Sequence, residues 1–220
     1  MKKFSMIAAS VLAVCVAGAA AAKDKDTVTR TLDLKGFEKI DVAGVYDLDI
    51  RVGPDFSIEL SGPDYEMSRV ESSVEKGVLR LDQREASRSE KKRWRNKRQG
   101  VDAVITLPNL TALEISGVVE GTAQGISTET FEVDISGVGE IELSGECGEL
   151  DANVSGVGDL DAEELKCRNV EIRLSGVGDA SVYARDEVDA SVSGMGDIDV
   201  YGSPEKVSKS NSMFADVTVH

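Results

Sequence analysis

Apolar and polar residues alternate along most of the chain, in short runs broken by glycine. Phe131, Val133 and Ile135 form one such run; Val170, Ile172 and Leu174 a second; Val188, Ala190 and Val192 a third. Shorter runs follow the intervening glycines: Ile141 and Leu143, Leu160 and Ala162, Ile198 and Val200. A period of two predicts β-strands with one buried face.

Between the runs stands a repeated phrase, Ser-Gly-x-Gly-acid. Its serines are Ser116, Ser136, Ser155, Ser175 and Ser193, at steps of 20, 19, 20 and 18 residues. A weaker copy follows at Ser212, and a degenerate early one begins at Ala43. Strand, corner, strand and second turn in 18 to 20 residues leave no room for a crossover helix. The fold class expected is all-β: a right-handed parallel β-helix with coils of about 18–20 residues. The two glycines are expected to supply the positive φ angles of a sharp corner. Stacked at about 4.8 Å, the repeated serines would make a ladder of turn-forming hydroxyls.

The N-terminal half is less regular. Strands are expected in the stretches around residues 40–52, 56–60, 69–75, 77–83 and 101–108, with a helical turn in "PDYEMSR" and a tight turn at Glu75-Lys76-Gly77. This half should start the solenoid and cover its first open end. The altered last phrase, with Met213 and Ala215 where glycines stood, should close the other.

The "SGVGD" phrases, "VITLPNLTALEISG" leading into them and "DVAGVYDLDI" near the start resemble the bacterial head GIN domain family, an autotransporter adhesin head. The resemblance covers roughly residues 35 to 218 and departs from the usual phrase at Tyr46, Val119, Met213 and Ala215. It implies an exported β-helix of the cell envelope with no known enzymatic activity, and it carries over no catalytic residues.

Composition adds a compartment. Met1-Lys2-Lys3, an apolar run to about Gly18 and Ala19-Ala20-Ala21-Ala22 read as a signal peptide over residues 1–22. Leu12-Ala13-Val14-Cys15 forms a rival lipoprotein box, but Val14 is bulky for one, so a lipid anchor at Cys15 is the less favoured reading. Residues 23–34 then form a leader and 35–220 a single domain. No later segment is apolar enough to span a membrane. Without Lys2 and Lys3 the chain holds 23 basic against 40 acidic residues, net −17. That excess argues against nucleic acid as partner. The protein is expected to be exported, to the periplasm or the cell surface.

The acids are ordered. Four residues on from each repeat position stand Asp47, Glu120, Glu140, Asp159, Asp179, Asp197 and Asp216. Six on stand Asp49, Thr122, Glu142, Asp161, Ser181, Asp199 and Thr218. Residues two apart on a strand share a face, so an acidic stripe should run along the solenoid. Stacked like charges repel by roughly 1 kcal/mol per pair in water. Three arrangements would offset this: turn amides bonded to each acid, a weak Ca²⁺ site among Glu140, Asp159, Asp179 and Asp197, or a basic partner. No other cofactor is implied.

Residues 84–99 are the opposite in sign. From Arg84 to Arg98 there are eight basic and two acidic residues around Trp94. The segment reads as a long loop insertion and, in its functional reading, as a partner-binding hook made of Arg88, Lys91, Lys92, Arg93, Trp94, Arg95, Lys97 and Arg98. Its targets would be an anionic glycan, a lipid head group or the acidic stripe of another copy.

Cys147 and Cys167 lie 20 apart, each eight residues before the next repeat serine, so they should stack on adjacent coils. A disulfide between them is expected in an exported protein. Thr128, Pro108 and Arg185 hold the equivalent places, which argues against a deep-core column. The only histidine is His220, so no serine has a base and nucleophilic catalysis is excluded. The expected function is a non-catalytic, exported binding or adhesion module. A self-associating envelope scaffold is the alternative. A polysaccharide-active β-helix is disfavoured, because exposed acids would repel a uronic-acid chain and aromatics are few.

Overall fold

The computed structural model describes residues 27–87, 100–213 and 215–220. The expected signal peptide, Cys15 and the basic residues Arg88, Lys91, Lys92, Arg93, Trp94, Arg95, Lys97 and Arg98 lie outside the described residues.

The alternating runs do form strands. In chain order they are β1 (Thr27–Leu32), β2 (Lys39–Ala43), β3 (Val45–Val52), β4 (Ser57–Pro63), the single helical turn α1 (Asp64–Met67), β5 (Val70–Glu75), β6 (Val78–Gln83), β7 (Val101–Leu107) and β8 (Ala112–Ile115). There follow β9 (Val118–Ile135), β10 (Val138–Val154), β11 (Val157–Leu174), β12 (Ala180–Val192), β13 (Ile198–Tyr201), β14 (Lys206–Asn211) and β15 (Val217–Val219). From β9 onward each coil pairs in parallel with the next, one full repeat apart. The result is a parallel β-solenoid of about five turns.

Each coil has two buried-face runs. On β10 these are Ile141 and Leu143, then Leu150, Ala152 and Val154. The Ser-Gly-x-Gly corner joins the second run of one coil to the first run of the next. A longer corner joins the two runs within a coil, marked by a register shift near Gly145. The interior is apolar, apart from the buried Glu66 of α1. Tyr46, Phe37 and Phe131 fill it toward the N-terminal end, and Ala180, Val182, Ala184, Val188, Ala190 and Val192 fill a late coil. The enclosed space therefore narrows along the solenoid.

The N-terminal half covers the first coil by extending both faces. β7 pairs with β3, and then β4 and β1 add on antiparallel. On the other face β6 pairs with β2 in parallel and β5 closes antiparallel on β6 through the turn at Lys76 and Gly77. Part of the stretch read as a leader is thus structural: β1 takes up the free edge of β4, and Leu32 packs against the core. At the other end the altered phrase divides. Ala215 packs against the core, whereas Met213 is 90% exposed and closes nothing.

Both glycines of the phrase press against the coil before, a Cβ on Gly139 lying 1.6 Å from the Val119 carbonyl oxygen, and the second adds a backbone requirement. The second carries the expected positive φ in three coils, at 154° in Gly139, 149° in Gly178 and 135° in Gly196, but not in Gly158. The first does not, from Gly117 onward. There a side chain would collide with the coil before: a Cβ on Gly137 would lie 2.0 Å from the Gly117 carbonyl oxygen. The residues that replace the second glycine early on, Tyr46 and Val119, are both 1% exposed and occupy the wider interior there. The Tyr46 hydroxyl donates to the Asp82 carbonyl at 3.2 Å, and burial pushes its pKa well up.

Cys147 and Cys167 are in register on β10 and β11 and form a disulfide, with Cα atoms 4.5 Å apart. The column is core after all: Cys147 is 8% and Cys167 0% exposed. Register shifts in the shorter coil of β12 bring Ala184, not Arg185, opposite Cys167. A closed loop of this size stabilises by about 3 kcal/mol through the unfolded chain. The Cys147→Ser/Cys167→Ser double variant should therefore melt about 6–12 °C lower than the oxidised protein. An unchanged midpoint in a calorimetric scan would show the bridge to be thermodynamically idle.

Candidate functional site

The corner phrase builds a surface as well as a turn. Inward parity runs unbroken through it: Ile135, Gly137, Gly139 and Ile141 all face in, while Ser136, Val138 and Glu140 face out. The inward positions are glycine because the two faces converge there and leave no volume for a side chain. The outward positions repeat in every coil, so three columns stand side by side on the solvent.

The middle column is apolar. Val45, Val118, Val138, Val157, Val177 and Met195 are stacked rung on rung. Each is between 42% and 55% exposed. Single exposed apolar side chains are ordinary, but six in one file form a patch. At about 4.8 Å per rung the file runs about 24 Å. On its serine side lies an open groove of about 1140 Å³, floored by Gly117, Gly137, Gly156, Gly176 and Gly194. Ser116 and Ser136 donate their hydroxyls to carbonyls of the preceding coil, Val42 and Ile115.

The acid column lies two residues beyond, about 6–7 Å from the valines by strand geometry. It contains the seven residues read from the repeat and one more. Asp102 pairs with Asp47 through the parallel contact of β7 with β3. The spacing rule misses Asp102 because β7 joins the stack out of chain order. A groove of about 500 Å³ collects Asp47, Asp49, Asp102, Glu120, Glu140 and Glu142. Burial, and then the charges of Asp102 and Glu120, raise the Asp47 pKa above the usual carboxylate range.

Backbone amides hold the later part of the column. The Asp159 carboxylate accepts the N–H of Asp179 at 2.8 Å, Asp179 that of Asp197 at 2.9 Å, and Asp197 that of Asp216 at 2.9 Å. Each acid thus pins the next coil at the corner. Glu140, Asp159, Asp179 and Asp197, the residues considered for calcium, stand in a file rather than around a point. Among the described residues no group of His, Cys, Asp or Glu is arranged to hold a metal.

Cations neutralise charge elsewhere. On the other face Arg80 pairs with Asp41, Lys39 with Glu132, Arg173 with Asp151 and Glu171, and Lys206 with Glu187. In the second acidic column Arg51 pairs with Asp49, and the His220 ring hydrogen-bonds Asp199 at 2.8 Å. Among the described residues, no Lys or Arg forms an ion pair with the column from Asp102 to Asp216. The corner therefore presents a methyl-rich ridge beside a charged rail that no described Lys or Arg pairs with.

Sequence reasoning reached the rail and missed the ridge. The signal was available in the parity count from Ile135 to Ile141, which places Val138 outward. No described helix is long and apolar enough to cross a membrane.

Known proteins share this architecture. A "putative adhesin" from Bacteroides fragilis is similar with a TM-score of 0.71 at 24% identity, over 90% of this chain and 98% of its own. A "putative adhesin" from Parabacteroides distasonis is similar with a TM-score of 0.51 at 16% identity, over 87% of this chain and 97% of its own. At these identities the likeness is one of fold. No curated protein matches the sequence. The repeat, the coil geometry and a family model that matches residues 36–204 agree: the chain belongs to the family described as "Putative auto-transporter adhesin, head GIN domain".

Proposed function

We propose that the protein is a non-catalytic, exported module of the cell envelope that binds another envelope or surface component in the manner of an adhesin. The observation that carries this reading is the exposed file from Val45 to Met195 on a rigid, two-faced solenoid. Half-exposed apolar side chains ordinarily stand singly on a protein surface, and six in one file form a patch of the kind that serves as a binding surface. The family description and the names of the structural relatives support an adhesion-type role. The signal-peptide pattern of residues 1–22 supports export.

Microspheres coated with the protein test it. They should be retained on immobilised bacterial envelope fragments well above albumin-coated spheres. A Val138→Ser/Val157→Ser/Val177→Ser variant should lose most of that retention, because the three central rungs are its target. Retention no better than albumin would sink the adhesive reading. Release of reducing ends from a panel of polysaccharides would sink the non-catalytic one.

A further inference from the structure

We infer that the ridge and the acid rail together receive a basic amphipathic α-helix of a partner protein. The inference rests on the adhesive reading above and names its occupant. The backbone at the ridge is already consumed. The N–H groups of Val118, Val138, Val157, Val177 and Met195 donate to the carbonyls of Gly44, Gly117, Gly137, Gly156 and Gly176. An extended peptide laid along the ridge would find no ladder to join and would leave its own amides unpaired. A helix satisfies its backbone internally and needs only side-chain contacts.

Dimensions agree. A ridge of about 24 Å matches about 16 helical residues at 1.5 Å each. One apolar side chain per helical turn recurs every 5.4 Å, so about 16 residues lying along the ridge set four or five of them against rungs about 4.8 Å apart. Such a helix would set a Leu- or Ile-type residue beside most of the rungs, over the glycine floor.

Charge selects the flank. The rail of Asp102, Asp47, Glu120, Glu140, Asp159 and Asp179 has no described cationic partner and runs parallel to the ridge on one side only. A helix with Lys or Arg on the corresponding flank supplies the missing charge, by the same complementarity that orients charged interfaces generally. An anionic lipid surface or glycan would meet the rail as like charge. A second copy docked ridge to ridge would bring two acid rails to one interface.

The probe is a 16-residue model peptide with leucine at every third or fourth position and lysine along one flank. Its binding to the purified protein is read by fluorescence anisotropy. A peptide of the same composition with the stripe scrambled, and one with glutamate for lysine, serve as comparators. The striped basic peptide should bind at least about tenfold tighter than either. The Val138→Ser/Val157→Ser/Val177→Ser variant, checked for its unaltered circular dichroism, should lose about tenfold. Glu120→Gln/Glu140→Gln should weaken binding at low salt and much less at high salt. Equal binding of the scrambled peptide, or full binding by the triple serine variant, overturns the inference. So does concentration-dependent dimerisation of the protein alone that the triple variant abolishes, because the ridge then belongs to a second copy. If microspheres still need the ridge while the striped peptide fails to bind, the helix falls and the adhesive reading stands. If neither depends on the ridge, both fall.

Discussion

Replacing Gly156 by alanine is expected to lower the melting temperature by about 6–20 °C, although only one methyl group is added. A Cβ at this position would sit 1.9 Å from the Gly137 carbonyl oxygen and 2.9 Å from two backbone carbons of the same coil. Nothing there can swing aside, because every contacted atom is main chain. The coils must part by more than an ångström. That parting strains a bond of the inter-coil ladder, since Gly137 accepts the Val157 N–H at 3.0 Å. Overpacking and a weakened backbone bond together amount to about 3–5 kcal/mol. Gly36→Ala is the matched control. Gly36 has φ at 78° with open space around it, so its substitution costs only the backbone strain of about 1–2 kcal/mol. Denaturant melts of the two variants separate close approach from conformation. If Gly156→Ala costs no more than Gly36→Ala, the coils can spread, and the glycine column is not what holds the corner tight.

That contrast bears on what the sequence discloses. The period, the parallel stack, the acidic file and the adjacency of Cys147 and Cys167 all follow from counting, because in a solenoid equal spacing in the chain becomes contact in space. Counting fails where the chain leaves the period. β7 enters the stack beside β3 after an excursion through β4, α1, β5 and β6, so Asp102 joins the rail from a position no spacing rule reaches. The shorter coil of β12 shifts register, and the residue beside Cys167 moves by one. Glycine hides two needs under one letter: close approach alone at Gly137, and close approach together with a positive φ at Gly139. The valine ridge was legible in principle. An apolar residue between two glycines invites reading as a turn filler, and only the parity carried across from Ile135 turns it outward.

Arg69→Ala is expected to cost about 3–5 kcal/mol, as much as deleting a large core side chain. Glu66 is the one buried charged residue among those described, at 4% exposure. Its carboxylate accepts a hydrogen bond from the Arg69 guanidinium at 2.8 Å and another from the Tyr65 hydroxyl. Arg69 also donates from Nε to the Arg84 carbonyl at 2.7 Å, which ties the turn after α1 to the end of β6. The alanine variant strands a desolvated carboxylate and removes this donor from the Arg84 carbonyl in one step. The expense comes from the orphaned charge more than from the lost attraction, and a double-mutant cycle makes the distinction. Glu66→Gln/Arg69→Met keeps the volume and leaves no charge behind, so it should recover most of the stability that Arg69→Ala loses. The location sharpens the expectation. α1 carries the chain from β4 on one face to β5 on the other, and these outer strands are what cover the first coil. Loosening that crossing exposes Met67, 1% exposed, and the ends of both faces at once. In a stack whose coils contact only their neighbours, damage at an end opens the structure from that end. Amide exchange should therefore rise first in β1, β4, β5 and β6, and last in β10 and β11. Uniform acceleration across the chain, or a loss under 1 kcal/mol, would show that the pair does not hold the cap.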